Sequence, residues 1–134
     1  MPDFKTLIER IGVNEGFRSK PYQCSEDVWT IGHGLTWLTE EESFHILTGR
    51  ISELHLKLLD KLDWYKDMPP EVQGVVIEMC YQMGFTGFCN FKKAIANMKD
   101  SNWKDAAEEM LDSRWAKQTP GRANRLADIV REHG

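Results

Sequence analysis

The sequence predicts an α+β fold that is mostly α. Apolar residues recur at helical spacing in four stretches, and one segment, residues 20–36, instead holds strand formers and turn residues. Everything after residue 39 returns to helical periodicity. No internal repeat, low-complexity tract or linker breaks the pattern, so the 134 residues read as one domain.

The first helix is expected over residues 3–14, where Phe4, Leu7, Ile8 and Ile11 form an apolar stripe that fades before Gly16. Residues 20–36 follow, with Pro21, Tyr22, Val28, Trp29, Thr30 and Ile31 ahead of Gly32 and Gly34, a pattern of short strands and turns. Thr39 with Glu42 three residues later is a capping box. It opens a long helix to about residue 62, through Phe44, Leu47, Ile51, Leu54, Leu58 and Leu62, which could form a rod between two lobes. Residues 71–83 follow Pro69 and Pro70 and are apolar over most of their circumference, as in a buried central helix. Two shorter pieces, 88–98 and 102–111, are each apolar on one face. Thr119 is placed to cap a last helix whose first position is Pro120.

Composition narrows the function. With 41% apolar and 28% charged residues this is ordinary globular material, and no apolar run approaches the ~20 residues of a membrane span. The amphipathic N-terminal segment lacks the apolar core of a signal peptide, so no export is expected. Seventeen basic against 21 acidic residues give a net charge of −4, with the acidic excess in the first half. That is a poor footprint for nucleic acid and for stable association with an anionic membrane. Cys24, Cys80 and Cys89 are odd in number and lack C-x-x-C spacing, which predicts reduced thiols, Cys80 and Cys89 as small core residues. His33, His45, His55 and His133 show no metal-ligand spacing, and no phosphate-binding or dinucleotide-binding glycine loop is present. No metal and no cofactor is expected.

The densest polar cluster is NEGFRSKPYQCSEDVWTIGHGLT, residues 14–36. Glu15 closes the first helix against Gly16, where Phe17 and Tyr22 can part-shield a carboxylate, the environment a general acid uses. A solvated helix-end glutamate is the plain alternative. A second cluster, residues 113–125, gathers Arg114, Arg122 and Arg125 around a helix start and reads by itself as a solvated face with a buried Trp115.

The first cluster resembles the catalytic segment of the phage-type lysozymes, the T-even phage muramidases and their relatives. That family shows a glutamate, eight residues, an aspartate or cysteine, five residues and a threonine; here these are Glu15, Cys24 and Thr30. EGFRSKPY and WTIGHG resemble the strings around them, EMCYQMGFTGFCNF (residues 78–91) resembles the family's central helix and turn, and NWKDAAEEMLDSRWAKQTPGRANR (residues 102–125) its C-terminal signature. The resemblance covers residues 3 to about 131. It implies a two-lobed lysozyme-like fold: a small β-containing lobe over about 13–40, a connecting helix over about 39–62, and a helical lobe over about 63–134 on which helix 3–14 packs. Cys24 stands where aspartate is commonest, Leu35 where a histidine is usual, and the stretch from Gly34 to Thr39 is short.

The resemblance implies hydrolysis of the β-1,4 bond between N-acetylmuramic acid and N-acetylglucosamine in peptidoglycan. Glu15 would be the general acid, Thr30 would orient the attacking water, and Cys24 would replace the base, as water anchor or weak base first and nucleophile second. A free thiol ionises near ~8.5, which limits it as a base at neutral pH. Glu26 or Asp27 could supply a carboxylate instead, though neither sits at the family position. Arg122 matches the arginine that pairs with the catalytic glutamate, with an orienting role; Tyr81 and Gln82 match the sugar-cleft wall, with Trp115 near it. Each of these three is equally readable as a core or capping residue. A lytic transglycosylase, which needs no second carboxylate, and a non-catalytic wall-binding or virion module remain as alternatives. The biology implied is a monomeric endolysin that accumulates in the host cytoplasm and reaches the wall after a separate holin opens the membrane.

Overall fold

The computed structural model describes residues 3–23 and 28–133. The chain divides into two compact units, Met1–Ile46 and Leu47–Gly134. The element order is α1 (Phe4–Glu15), β1 (Arg18–Gln23), β2 (Trp29–Gly32), α2 (Glu40–Lys61), a one-turn 3₁₀ helix (Tyr65–Asp67), α3 (Pro70–Cys89), α4 (Lys92–Lys99), α5 (Trp103–Leu111), α6 (Arg114–Gln118) and α7 (Pro120–Arg131). The fold is α+β and mostly α, as the periodicity predicts.

In the first unit, α1 starts at Asp3, whose carboxylate accepts from the Thr6 N–H and hydroxyl. Those bonds hold the Asp3 carboxyl below its ordinary range. None of α1's residues is buried, so its apolar stripe forms a helix without forming a core. β1 and β2 pair antiparallel, Tyr22 opposite Thr30 and Gln23 opposite Trp29, with an irregularity between Arg18 and Tyr22. The Thr39–Glu42 capping box forms reciprocally: the Thr39 N–H donates to Glu42 at 3.0 Å, and the Glu42 N–H to the Thr39 hydroxyl at 3.1 Å.

The second unit holds every buried apolar side chain among the described residues. Pro70 takes the first position of α3, where its missing N–H costs no helical bond. Val72, Val75, Val76, Met79 and Cys80 then bury most of the helix circumference. Helices α4, α5 and α7 supply Ala94, Met98, Ala106, Ala107, Met110, Ala123, Leu126, Ala127 and Val130 to the same core. Tyr65 is fully buried, and its hydroxyl shares a 2.7 Å hydrogen bond with Nδ1 of His55.

Two expectations shift. The helix anticipated from residue 88 begins at Lys92; Phe88 instead lies in the last turn of α3, which continues past a break at Gly84 (φ 85°, ψ 160°). Thr119 stands at the N-cap of α7, but its side chain caps nothing there. Its hydroxyl instead donates to the Trp115 carbonyl at 3.0 Å and accepts from the Gln82 amide at 3.5 Å.

Burial pushes the Cys80 thiol up from an ordinary value of 9.0 to about 12, with Cys89 adding to the shift. The folded state therefore keeps a proton that the unfolded chain loses above about pH 9. The stability this contributes is complete below the unfolded value and is lost as pH rises toward about 12. Denaturant midpoints measured at pH 7 and pH 10 should fall more steeply for the wild type than for Cys80→Ala; equal slopes would place the thiol in contact with solvent.

Candidate active site

Glu15 is the last residue of α1, and Gly16 caps the helix at φ 69°, returning its N–H to the Gly12 carbonyl at 2.9 Å. The chain then passes through β1 and β2 into a tight turn over Gly32, His33 and Gly34. Ile31 and Leu35 close that turn with reciprocal backbone bonds of 2.8 and 2.9 Å. Gly32 and Gly34 sit at φ 66° and 77°, a region side chains resist.

Gly34 has a second reason to be glycine. A Cβ there would run into Oε2 of Glu15 and stand 2.9 Å from its Cδ. The turn therefore lies directly against the Glu15 carboxylate. One residue earlier, His33 rests 3.7 Å from where a Gly12 Cβ would be and 5.3 Å, ring to ring, from Phe17. The two strings that flank the site in sequence, EG and GHG, thus meet in space. Glu15 itself is exposed, and Phe17 is 64% exposed, so the immediate neighbour of the carboxylate is backbone and not the apolar ring expected. Tyr22 is engaged elsewhere, with the Arg18 guanidinium 5.1 Å from its ring centre.

Thr30 is the one buried polar residue among those described, at 5% exposure. Its hydroxyl donates to the Val28 carbonyl at 2.9 Å, which leaves its lone pairs as acceptors. Cys24, with Glu26 and Asp27, lies outside the described residues.

In the second unit, Glu78, Tyr81 and Gln82 share one face of α3 by their spacing. Gln82 accepts from the Trp115 indole N–H at 3.0 Å and donates to the Thr119 hydroxyl at 3.5 Å. Trp115 is buried, edge-on to Phe91 at 5.9 Å, so Gln82 is tied to a fixed ring. Tyr81 is 48% exposed and presents its ring outward. Arg122 donates from Nε to Glu78 at 2.8 Å, both side chains more than a third exposed. An open groove of about 460 Å³ borders Trp115, with Phe91, Lys93, Asp112 and Arg114 along it. Among the described residues no group of three His, Cys, Asp or Glu side chains could hold a metal ion.

The phage lysozyme family model matches residues 13–131. The chain belongs to the phage lysozyme family. Among curated relatives, "Probable T4-type lysozyme 1" of Dictyostelium discoideum is 33% identical over 66 residues, 49% of this chain and 39% of the relative. "Probable T4-type lysozyme 2" of the same organism is 31% identical over 65 residues, 48% and 38%. The pre-baseplate central spike protein Gp5 of Enterobacteria phage T4 is 34% identical over 58 residues, 43% of this chain and 10% of that one. The match thus spans about two fifths of the Dictyostelium proteins.

Two residues of this lysozyme-family chain escape sequence reasoning. Gly34 reads as a turn glycine, and nothing local shows that it faces Glu15. Glu78 leaves a trace only as a charged residue among apolar neighbours, and its partner Arg122 lies 44 residues away.

Gly34→Ala should cost about 1–2 kcal/mol from its backbone conformation alone and dislodge Glu15 as well. Gly49→Ala, in the open on α2, is the control and should be neutral or stabilising. Urea midpoints compare them; a Gly34→Ala protein as stable as the wild type would mean that position 34 does not need positive φ.

Proposed function

We propose that the protein is a muramidase that hydrolyses the β-1,4 bond between N-acetylmuramic acid and N-acetylglucosamine in bacterial peptidoglycan, acting as an endolysin in host cell lysis. The observation that carries this reading is the Glu15 carboxylate seated on the Gly34 turn, in a chain matched by the phage lysozyme family over residues 13–131. Glu15 is the general acid: it protonates the glycosidic oxygen as the bond to the sugar's anomeric carbon breaks. Water attacks that carbon. Thr30 fits the water-orienting role because its own proton is committed to Val28, so its oxygen can accept from water. Cys24 takes the proton of the attacking water as its thiolate, or as the neutral thiol anchors that water while the proton passes to solvent, and Glu15 regains a proton from solvent.

Tyr81, Gln82 and Trp115 are assigned to glycan binding. An exposed ring beside an amide fixed by an indole suits a pyranose with an acetamido group. Arg122 is assigned to positioning, and its guanidinium keeps further N–H groups beyond the one given to Glu78. The groove along Trp115 adds room for a polymeric substrate. In this reading the enzyme is a monomer without cofactor or metal, held in the host cytoplasm until a separate holin opens the membrane. No helix among the described residues is long and apolar enough to cross one.

Cys24 at the position where the family commonly has aspartate favours a second reading, a lytic transglycosylase, in which the sugar's own hydroxyl attacks and no water is activated. Mass spectrometry of muropeptides from digested sacculi separates the two: reducing ends support hydrolysis, 1,6-anhydro ends the transglycosylase, and no release a non-catalytic module.

Glu15→Gln should lose at least ~10²-fold of activity, the scale of lost general acid catalysis. Its stability should change by less than ~1 kcal/mol, since the group is an exposed helix end. Lysis of outer-membrane-stripped cells near the wild-type rate would remove Glu15 from the mechanism.

For Cys24, the Asp variant should stay active and the Ala variant fall well below both. A thiol alkylating reagent should inactivate the wild type and spare Cys24→Asp, because burial pushes the Cys80 thiol up to about 12 and raises that of partly buried Cys89, so both react slowly. A fully active Cys24→Ala enzyme with hydrolytic products would leave the thiol no catalytic part.

A further inference from the structure

The end of α2, the 3₁₀ turn and the end of α4 enclose an open pocket of about 490 Å³ that shares no residue with the site above. Its lining is Lys61, Leu62, Asp63, Trp64, Asp67 and Lys99, all in the second unit. The volume falls within the ~300–1,000 Å³ usual for small-molecule sites. Trp64 is anchored against the core, its ring 6.4 Å from that of buried Phe88 and tilted by 37°, while the residue stays partly accessible.

The polar groups around it are uncommitted. Trp115 gives its indole N–H to Gln82, but among the described residues no protein group accepts from Trp64. No buried side-chain polar atom there lacks a partner, so the Trp64 N–H reaches solvent. Asp63, Asp67 and Lys99 form no ion pair among the described residues, and Lys61 makes only a 3.7 Å contact to Asp60.

Two carboxylates and two ammonium groups nearly cancel, so the pocket's field selects neither an anion nor a cation. What remains is an aromatic face, one N–H donor, and charged donors and acceptors able to make strong hydrogen bonds with neutral hydroxyl and amide groups. That combination matches a pyranose, with C–H groups on its face and hydroxyls on its rim. We infer that this pocket is a second saccharide subsite, taking N-acetylhexosamine units of the same glycan, an assignment that rests on the glycan-cleaving reading above. Occupied together with the cutting site, it raises the effective concentration of a long chain and does nothing for a short one.

The test titrates the Glu15→Gln protein, which cannot consume the ligand, with chitotetraose. Its five tryptophan indole N–H signals are followed by NMR, and Trp64→Phe, which keeps a ring against Phe88, assigns the relevant one. The Trp64 signal should shift saturably, and Asp63→Ala/Asp67→Ala should weaken that response about tenfold. In the active protein, the same aspartate pair variant and Trp64→Phe should each release sacculus fragments several-fold more slowly, while cleaving short soluble glycan fragments at the wild-type rate. No Trp64 shift up to ~10 mM ligand, or unchanged sacculus turnover in both variants, would overturn the subsite. If the wild type releases nothing from sacculi, the muramidase reading fails by itself; a Trp64 shift would still establish a saccharide site, and its absence would end that inference too.

Discussion

The burial of α3 is the constraint on which the second unit depends. A helix that is apolar over most of its circumference has only a narrow face to offer water, so other elements must cover the rest. Helices α4, α5 and α7 join it in one core, with alanines at 94, 106, 107, 123 and 127 where backbones must come close. The same burial makes the Cys80 thiol inert and leaves the Tyr65 hydroxyl needing a partner, which His55 supplies.

Where that core ends, its remaining face becomes the wall assigned to the glycan. Glu78, Tyr81 and Gln82 lie within little more than one helical turn, and each finds a different environment. Glu78 meets Arg122 from α7, Gln82 meets the Trp115 indole and Thr119, and Tyr81 meets solvent. A buried ring thereby fixes an amide at the surface, which is how a packed core confers order on a residue assigned to binding. Thr119 joins the same network: its hydroxyl donates to the Trp115 carbonyl and accepts from the Gln82 amide, and the helix it heads has no side-chain cap.

The first unit is organised by different physics. It buries no apolar side chain among its described residues, and its order comes from backbone bonds, side-chain caps, three glycines at positive φ and the contact of a turn with a carboxylate. Glycine at position 34 is favoured by its positive φ, and a side chain there would also displace the Glu15 carboxylate, so a loop residue without a side chain defines the setting of the proposed acid.

Much of this was legible in the residues. The capping box at Thr39 and Glu42, the proline start of α3, the strand-and-turn character around Trp29 to Gly34, and the mostly α class all rest on interactions within a few residues, which sequence encodes directly. The spacing of Glu15, Cys24 and Thr30, together with the flanking EGFRSKPY and WTIGHG, likewise pointed to the family. Tertiary structure alone decided that Gly34 abuts Glu15, that Arg122 binds Glu78, that Thr119 spends its hydroxyl away from its own helix, and that α3 runs on through Gly84 to take Phe88 from the next helix. The first two join residues far apart in sequence, Arg122 and Glu78 by 44 positions, and neither contact is preferred until packing has brought the partners within hydrogen-bond or van der Waals reach.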